Sequence, residues 1–266
     1  MEELETKGLV ISEVRTGEAD KILTLLTAEH GKITVSGKGV ASLRSRHMPA
    51  TQLFSYSSFN LKKTKKYFYI ADSDLIEPFF DIRYDVNKLS LANYICEVVD
   101  YLAVEEMGEE DLLRLALNSL YALANRDGLP EEQIKAAFEM RAAAVSGFEP
   151  SLDKCGECGN DETDGLFYLD VMNGRLICDD CLRSIRGGAG DDRTAKIYLA
   201  LSPSVLEAIR FTVHAPIGRF LSFQIEDDEL KPFAVVCEKY LLSHIEHGFR
   251  SLDYYNSLIR NGYTDE

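Results

Sequence analysis

Between Leu4 and Pro78 apolar and polar residues alternate in short runs: GLVISEVR, KILTLLT, KITVSGKG, ATQLFSYSSFNL and KYFYIADSDLIEP. Alternation with a period of two marks a strand with one buried face. Five such runs in about seventy-five residues, separated by turns at Gly17 and His30-Gly31, predict a small β-barrel. From Lys32 to Ser36 the alternation turns Ile33 and Val35 inward and leaves Lys32, Thr34 and Ser36 outside, with Lys38 joining them if the strand continues. Lys62-Lys63-Thr64-Lys65-Lys66 reads as a hairpin turn. Beyond it Tyr67 and Tyr69 share one face, and Phe68 and Ile70 the other.

At Pro78 the period lengthens. Apolar residues recur at Leu91, Tyr94/Ile95, Val98 and Leu102, then at Leu112/Leu113, Ala116, Leu120 and Leu123, then at Ile134, Phe138, Ala142 and Val145. These spacings predict three amphipathic helices. Gly108, Gly128-Leu129-Pro130 and Gly147 with Pro150 supply the stops. After a cysteine-bearing segment, further helices are expected from Ser202-Pro203 to about Val213, from Pro232 to His247 and from Ser251 to Ile259. The fold class is therefore α+β. The expected divisions are a barrel over 1–80, a helical domain over 81–150 and 191–266, and a metal-binding insertion over 151–190.

Charge changes the picture more than composition does. The 266 residues have a formal net charge of -15, but residues 1–80 hold eleven Lys/Arg against ten Asp/Glu, so the acid excess lies beyond them. From His30 to Ala71 there is no acid at all. That stretch contains Lys32, Lys38, Arg44, Arg46, Lys62, Lys63, Lys65 and Lys66, interleaved with Phe54, Tyr56, Phe59, Tyr67, Phe68 and Tyr69. A positive, aromatic-bearing patch on an acidic protein is not explained by solubility and marks a candidate ligand surface. The two parts therefore have different electrostatic roles. No apolar run is long enough to span a membrane, and the start MEELETK is acidic where a signal peptide is basic, so a cytosolic protein is expected.

Cys155-Gly-Glu-Cys158 and Cys178-Asp-Asp-Cys181 form the most specific motif, two C-x-x-C pairs nineteen residues apart. In a reducing compartment such pairs bind metal rather than form disulfides. Four thiolates close the coordination sphere of Zn2+, so the site is read as structural. Cys96 and Cys237 fall on apolar helix faces and read as core residues. His244 and His247 lack a third ligand nearby and are read as surface or packing residues. Gly31 to Gly39 misses the phosphate-loop spacing, and Glu5-Thr-Lys7 lacks an upstream aspartate to complete a magnesium site. No catalytic group is assembled, so the protein is read as a non-enzyme. A zinc-stabilised transcription regulator and a metal-dependent nuclease are the competing readings.

The ordered set Gly17-Glu18-Ala19-Asp20-Lys21-Ile22-Leu23-Thr24, Glu29-His30-Gly31-Lys32, Gly37-Lys38-Gly39-Val40 with Ser45-Arg46, Phe138-Glu139-Met140-Arg141, Gly147-Phe148-Glu149-Pro150 and the paired cysteines resembles the RecO family of bacterial recombination-repair mediators. The resemblance extends from about residue 1 to beyond 240. It implies an N-terminal OB fold, a helical C-terminal domain and a zinc-finger-like insertion. It also implies binding to single- and double-stranded DNA, annealing of complementary strands, and loading of the RecA recombinase with RecR onto strands covered by single-strand-binding protein (SSB). Such a protein is cytoplasmic and nucleoid-associated. Family members often place a dense basic run after Gly39-Val40, where this chain has Ala41-Ser42-Leu43 before Arg44. Weaker local DNA affinity is expected there, with the Lys62–Lys66 cluster as compensation. Arg141 and Arg210 are the candidate residues for an SSB contact. The expected DNA-binding set is Lys32, Lys38, Arg44, Arg46, Lys62, Lys63, Lys65, Lys66, Tyr67 and Tyr69, with Tyr56 as a further stacking candidate.

Overall fold

A computed structural model describes residues 2–64, 67–105, 107–161, 165–187 and 197–261. The strands are β1 (Glu2–Arg15), β2 (Lys21–Thr27), β3 (Gly31–Gly37), β4 (Tyr56–Lys63), β5 (Phe68–Glu77), β6 (Ser151–Cys155), β7 (Phe167–Asp170), β8 (Arg175–Cys178) and β9 (Tyr198–Leu201). The helices are α1 (Val86–Leu102), α2 (Glu110–Asn125), α3 (Glu131–Ala143), α4 (Asp179–Gly187), α5 (Pro203–His214), α6 (Asp227–Ile245) and α7 (Arg250–Arg260). They form two compact units, Met1–Leu129 with Phe249–Glu266, and Pro130–Gly248.

In the first unit β1 to β5 close a barrel in the order β1-β2-β3-β5-β4, with β3 and β5 parallel and the other pairs antiparallel. The long first strand makes closure possible. Its residues from Glu2 to Leu9 pair with β4 and those from Gly8 to Arg15 with β2, and the register shifts between Val10 and Ser12. Such a bulge bends and twists a strand enough to serve two sheets. Val10, Leu23, Leu25, Ile33, Val35, Phe59 and Leu61 fill the interior, with Leu4, Phe68 and Ile70 packed against them. The alternation predicted for β3 and the Phe68/Ile70 face is the observed one.

Helix α1 begins at Asp85, whose side chain accepts from the N–H groups of Asn87 and Lys88 and so satisfies two donors of the first turn. Tyr94 meets Phe249 edge-to-face at 5.6 Å, and Glu97 accepts from both the backbone and the hydroxyl of Ser251, which docks α7 on α1. The segment after α1 straps the β2–β3 turn: the Lys32 N–H donates to the Val104 carbonyl at 3.1 Å, and that of Glu109 to Ala28 at 2.9 Å. A side chain at Gly31 would lie 2.1 Å from the Met107 carbonyl oxygen, so the strap demands glycine there as well as its φ of +58°.

The second unit packs α3 against α6 and α5, beside a four-stranded sheet of order β6-β8-β7-β9. Helix α6 starts earlier than Pro232 predicts. Asp227, Asp228 and Glu229 occupy its first turn, where carboxylates favour the positive end of the helix dipole, and Pro232 lies inside the helix. In its core the Lys135 ammonium lies 2.9 Å from Glu139 and 2.6 Å from Glu238. Burial works against its charge, but the two carboxylates prevail and its pKa is raised. Cys96 and Cys237 are fully buried, and burial raises both thiols.

Candidate nucleic-acid interface and metal centre

The strand registers lay out one outward row across the barrel: Val14, Ile22, Ser36, Tyr69, Lys62 and Glu3 are successive cross-strand neighbours. Val14 and Ile22 are 57% and 41% exposed, large values for aliphatic side chains on a sheet. From Val14 to Tyr69 the row holds no charge. Tyr67 is 64% exposed in the turn between β4 and β5, where the Thr64 hydroxyl and N–H both bond the Tyr67 carbonyl. Lys63 lies over the Phe68 ring at 5.4 Å. Lys65 and Lys66 fall outside the described residues.

The cations that are neighbours in sequence scatter when folded. The Lys32 ammonium is 3.1 Å from Asp100 and donates to that residue's carbonyl at 2.6 Å, so it fastens α1 to the barrel. Arg46 meets Asp72 at 3.0 Å, and Lys62 meets Glu3 at 3.2 Å. Lys38 and Arg44 are exposed, with no carboxylate partner among the described residues. Both lie on the loop leaving β3, which emerges beside the outward row because Gly37 pairs with Lys21, next to the Ile22–Ser36 pair. Leu43, between them, is 90% exposed.

Another side of the barrel has the opposite character. A groove of about 620 Å³ carries Glu5, Glu29, Asp72 and Asp74 on its walls against Lys7. Tyr56, a stacking candidate by sequence, lines this groove, where burial raises its pKa. An anion gains nothing from that field.

The four motif cysteines converge. One sulfur from each of Cys155, Cys158, Cys178 and Cys181 lies within 4.8 Å of the others, and those of Cys158 and Cys178 are 3.7 Å apart. Four bonds of about 2.3 Å at tetrahedral corners require sulfurs about 3.8 Å apart, so the cluster fits a thiolate-bound metal ion. Burial alone would raise the Cys155 thiol, but backbone N–H groups of Cys158, Cys178 and Glu157 donate to its sulfur and bring its pKa to about 6. Within the same cluster, burial raises the Cys178 thiol and hydrogen bonds with the neighbouring sulfurs raise that of Cys181. Cys155 ends β6 and Cys178 ends β8, and the latter's N–H donates to the Cys155 sulfur at 3.3 Å. Arg175 braces the first knuckle, bonding Glu157 at 2.6 Å.

Arg141 and Arg210 are tied into the fold: Arg141 donates to the Thr212 carbonyl at 3.3 Å, and Arg210 bonds the Leu152 carbonyl at 2.6 Å and Glu207 at 2.6 Å. His244 stacks on Phe148 at 5.1 Å, and burial lowers its pKa. Asp20 and Lys21, at the start of β2, enter the sequence analysis only through the Gly17–Thr24 signature and not as site candidates. They lie outside the acid-free stretch, and their signal was a charged pair at a strand start.

A closed five-stranded barrel of OB type, followed by helices and a four-cysteine cluster, defines an α+β protein built around an oligonucleotide-binding fold. The chain belongs to the RecO family of DNA repair and recombination proteins: the family model "Recombination protein O N terminal" matches residues 1–79, and "Recombination protein O C terminal" matches residues 83–253. It is 32% identical over 260 residues to the DNA repair protein RecO of Acetivibrio thermocellus, covering 98% of this chain and 99% of that one. The RecO of Caldicellulosiruptor bescii is 34% identical over 181 residues, 68% of this chain and 73% of the relative. That of Symbiobacterium thermophilum is 28% identical over 254 residues, 94% and 96% of the two chains. No helix among the described residues is long and apolar enough to cross a membrane.

Proposed function

We propose that this protein binds single- and double-stranded DNA, anneals complementary strands and, with RecR, promotes RecA loading onto SSB-coated single strands. The observation that carries the reading is the Lys38–Arg44 loop, whose exposed cations border the uncharged row from Val14 to Tyr69. Phosphates would follow Lys38, Arg44 and the end of β4 at Lys62 and Lys63, which are strand residues and not the hairpin turn expected from sequence, together with Lys65 and Lys66 beyond it, while Tyr67 and Tyr69 stack on bases. Lys32, Arg46 and Lys62 contribute less because each has a carboxylate to displace. Neutralising two strands while leaving their bases exposed lowers the repulsion that opposes annealing, and no covalent step is needed.

Residues 1–80 supply the barrel; 81–150 with 191–266 supply helices for protein partners; 151–190 form the zinc insertion. In the last, Cys155, Cys158, Cys178 and Cys181 hold a structural Zn2+, which supplies folding energy and no reactivity. The setting is the cytoplasm, on the nucleoid. Annealing of complementary strands coated with SSB, with and without RecR, tests the proposal. Faster annealing than the uncatalysed reaction, and delivery of RecA only when RecR is present, is the expected result. Strand cleavage dependent on magnesium, or a strong preference for one duplex sequence, would replace it with a nuclease or a regulator.

A further inference from the structure

Adjacent residues at the start of β2 hold two different parts of the barrel. Lys21 is 5% exposed at the barrel end, where its ammonium bonds Glu13 at 2.6 Å and the Thr51 carbonyl at 3.3 Å. Asp20 reaches instead to the loop leaving β3: its Oδ1 accepts the Gly39 N–H at 2.7 Å. Two residues on, the Ala41 N–H donates to the Ala19 carbonyl at 2.9 Å. These bonds bracket the point where the chain departs from β3, since Gly39 has a φ of +68°. Beyond the clasp, turns from Ser42 to Gly39 and from Ser45 to Ser42 carry the chain past Leu43 and Arg44.

A carboxylate held at Gly39, the residue after Lys38, lowers the local potential, so by charge alone Asp20 opposes a phosphate. Its bond acts in the other direction. A backbone N–H held by a charged acceptor is among the stronger single bonds available to a loop, and an ordered loop loses less freedom on binding. We propose that Asp20 is the positioning residue of the nucleic-acid interface, clasping the loop so that Lys38 and Arg44 are presented to phosphates. This rests on the reading that the loop meets DNA.

The two effects of Asp20 are separable because Asp20→Asn keeps an oxygen acceptor while both Asp20→Asn and Asp20→Ala remove the charge. Binding of a fluorescent oligothymidylate across a salt series, with exchange of the Gly39 amide followed by NMR, provides the test. Asp20→Asn is expected to bind as wild type or up to about threefold tighter, with Gly39 still protected. Asp20→Ala is expected to bind roughly three- to tenfold more weakly, with fast Gly39 exchange. Its salt slope should change by less than the ~0.7 that loss of one phosphate contact removes. Asp20→Ser, with a shorter acceptor, should fall between, and decides the matter if the alanine variant folds poorly. Alanine and serine variants that bind as tightly as Asp20→Asn would overturn the clasp. If Lys38→Ala and Arg44→Ala leave affinity and slope unchanged, the loop does not meet DNA and the underlying reading falls, whatever Gly39 does.

Discussion

The cysteine cluster and the basic stretch were equally conspicuous in the sequence, and folding treats them in opposite ways. Cys155, Cys158, Cys178 and Cys181 draw together until their sulfurs lie within 4.8 Å of one another. The cations between His30 and Ala71 disperse, and three meet carboxylates that the stretch itself does not contain: Asp100, Asp72 and Glu3. A C-x-x-C spacing encodes its own local geometry, because a tight knuckle aims both sulfurs without help from distant residues. A run of like charges encodes nothing about its neighbours. Strand pairing brings Glu3 beside Lys62, and helix packing brings Asp100 to Lys32.

Removal of the proposed Zn2+ gives the largest expected effect. Chelation, or Cys155→Ser with Cys178→Ser, should cost an apparent ~10–16 kcal/mol in the insertion. Calorimetry should show one transition lost or strongly lowered while the salt dependence of DNA binding stays near that of wild type. Loss of both together would erase the distinction between the two regions. Next is Lys135, a cation buried between two carboxylates. Lys135→Ala leaves Glu139 buried without its ammonium and should destabilise by about 3–5 kcal/mol, read from denaturant midpoints. Lys135→Met with Glu139→Leu should recover most of that. The smallest effect concerns the dispersed cations. Glu3→Gln and Asp72→Asn free Lys62 and Arg46, and each should tighten single-stranded DNA binding by about twofold at low salt, an effect that fades as salt is raised.

Much of the fold was legible because it rests on periodicity. KILTLLT is β2 residue for residue, and the change at Pro78 does separate the strands of the barrel from the helices. Helix α6 was misread at its start because Pro232 looks like a first-turn proline, whereas three acids upstream begin the helix and the proline is tolerated inside it. The cysteine cluster could be read in full. The basic stretch could be read only as a set of candidates, since partners such as Asp100 lie 68 residues away from Lys32. Tyr56 illustrates the same limit, because the acidic groove beside it is assembled from β1, β4, β5 and the β2–β3 turn. Asp20 stands in the sequence only as part of the Gly17–Thr24 signature; its role as an acceptor does not show there, because a hydrogen bond to a backbone N–H nineteen residues away leaves no pattern in side-chain types.

Exposed cations without carboxylate partners, rather than the whole basic stretch, are proposed to meet DNA. The slope of log affinity against log salt for a single-stranded oligonucleotide, measured for Lys38→Ala/Arg44→Ala and for Lys32→Ala/Arg46→Ala/Lys62→Ala, separates the two sets of cations. The first variant should lower the magnitude of the slope by about 1.4, two phosphate contacts, while the second, with three charges removed, should lower it by less than about 1. An unchanged slope in the first, or a larger loss in the second, would contradict the account.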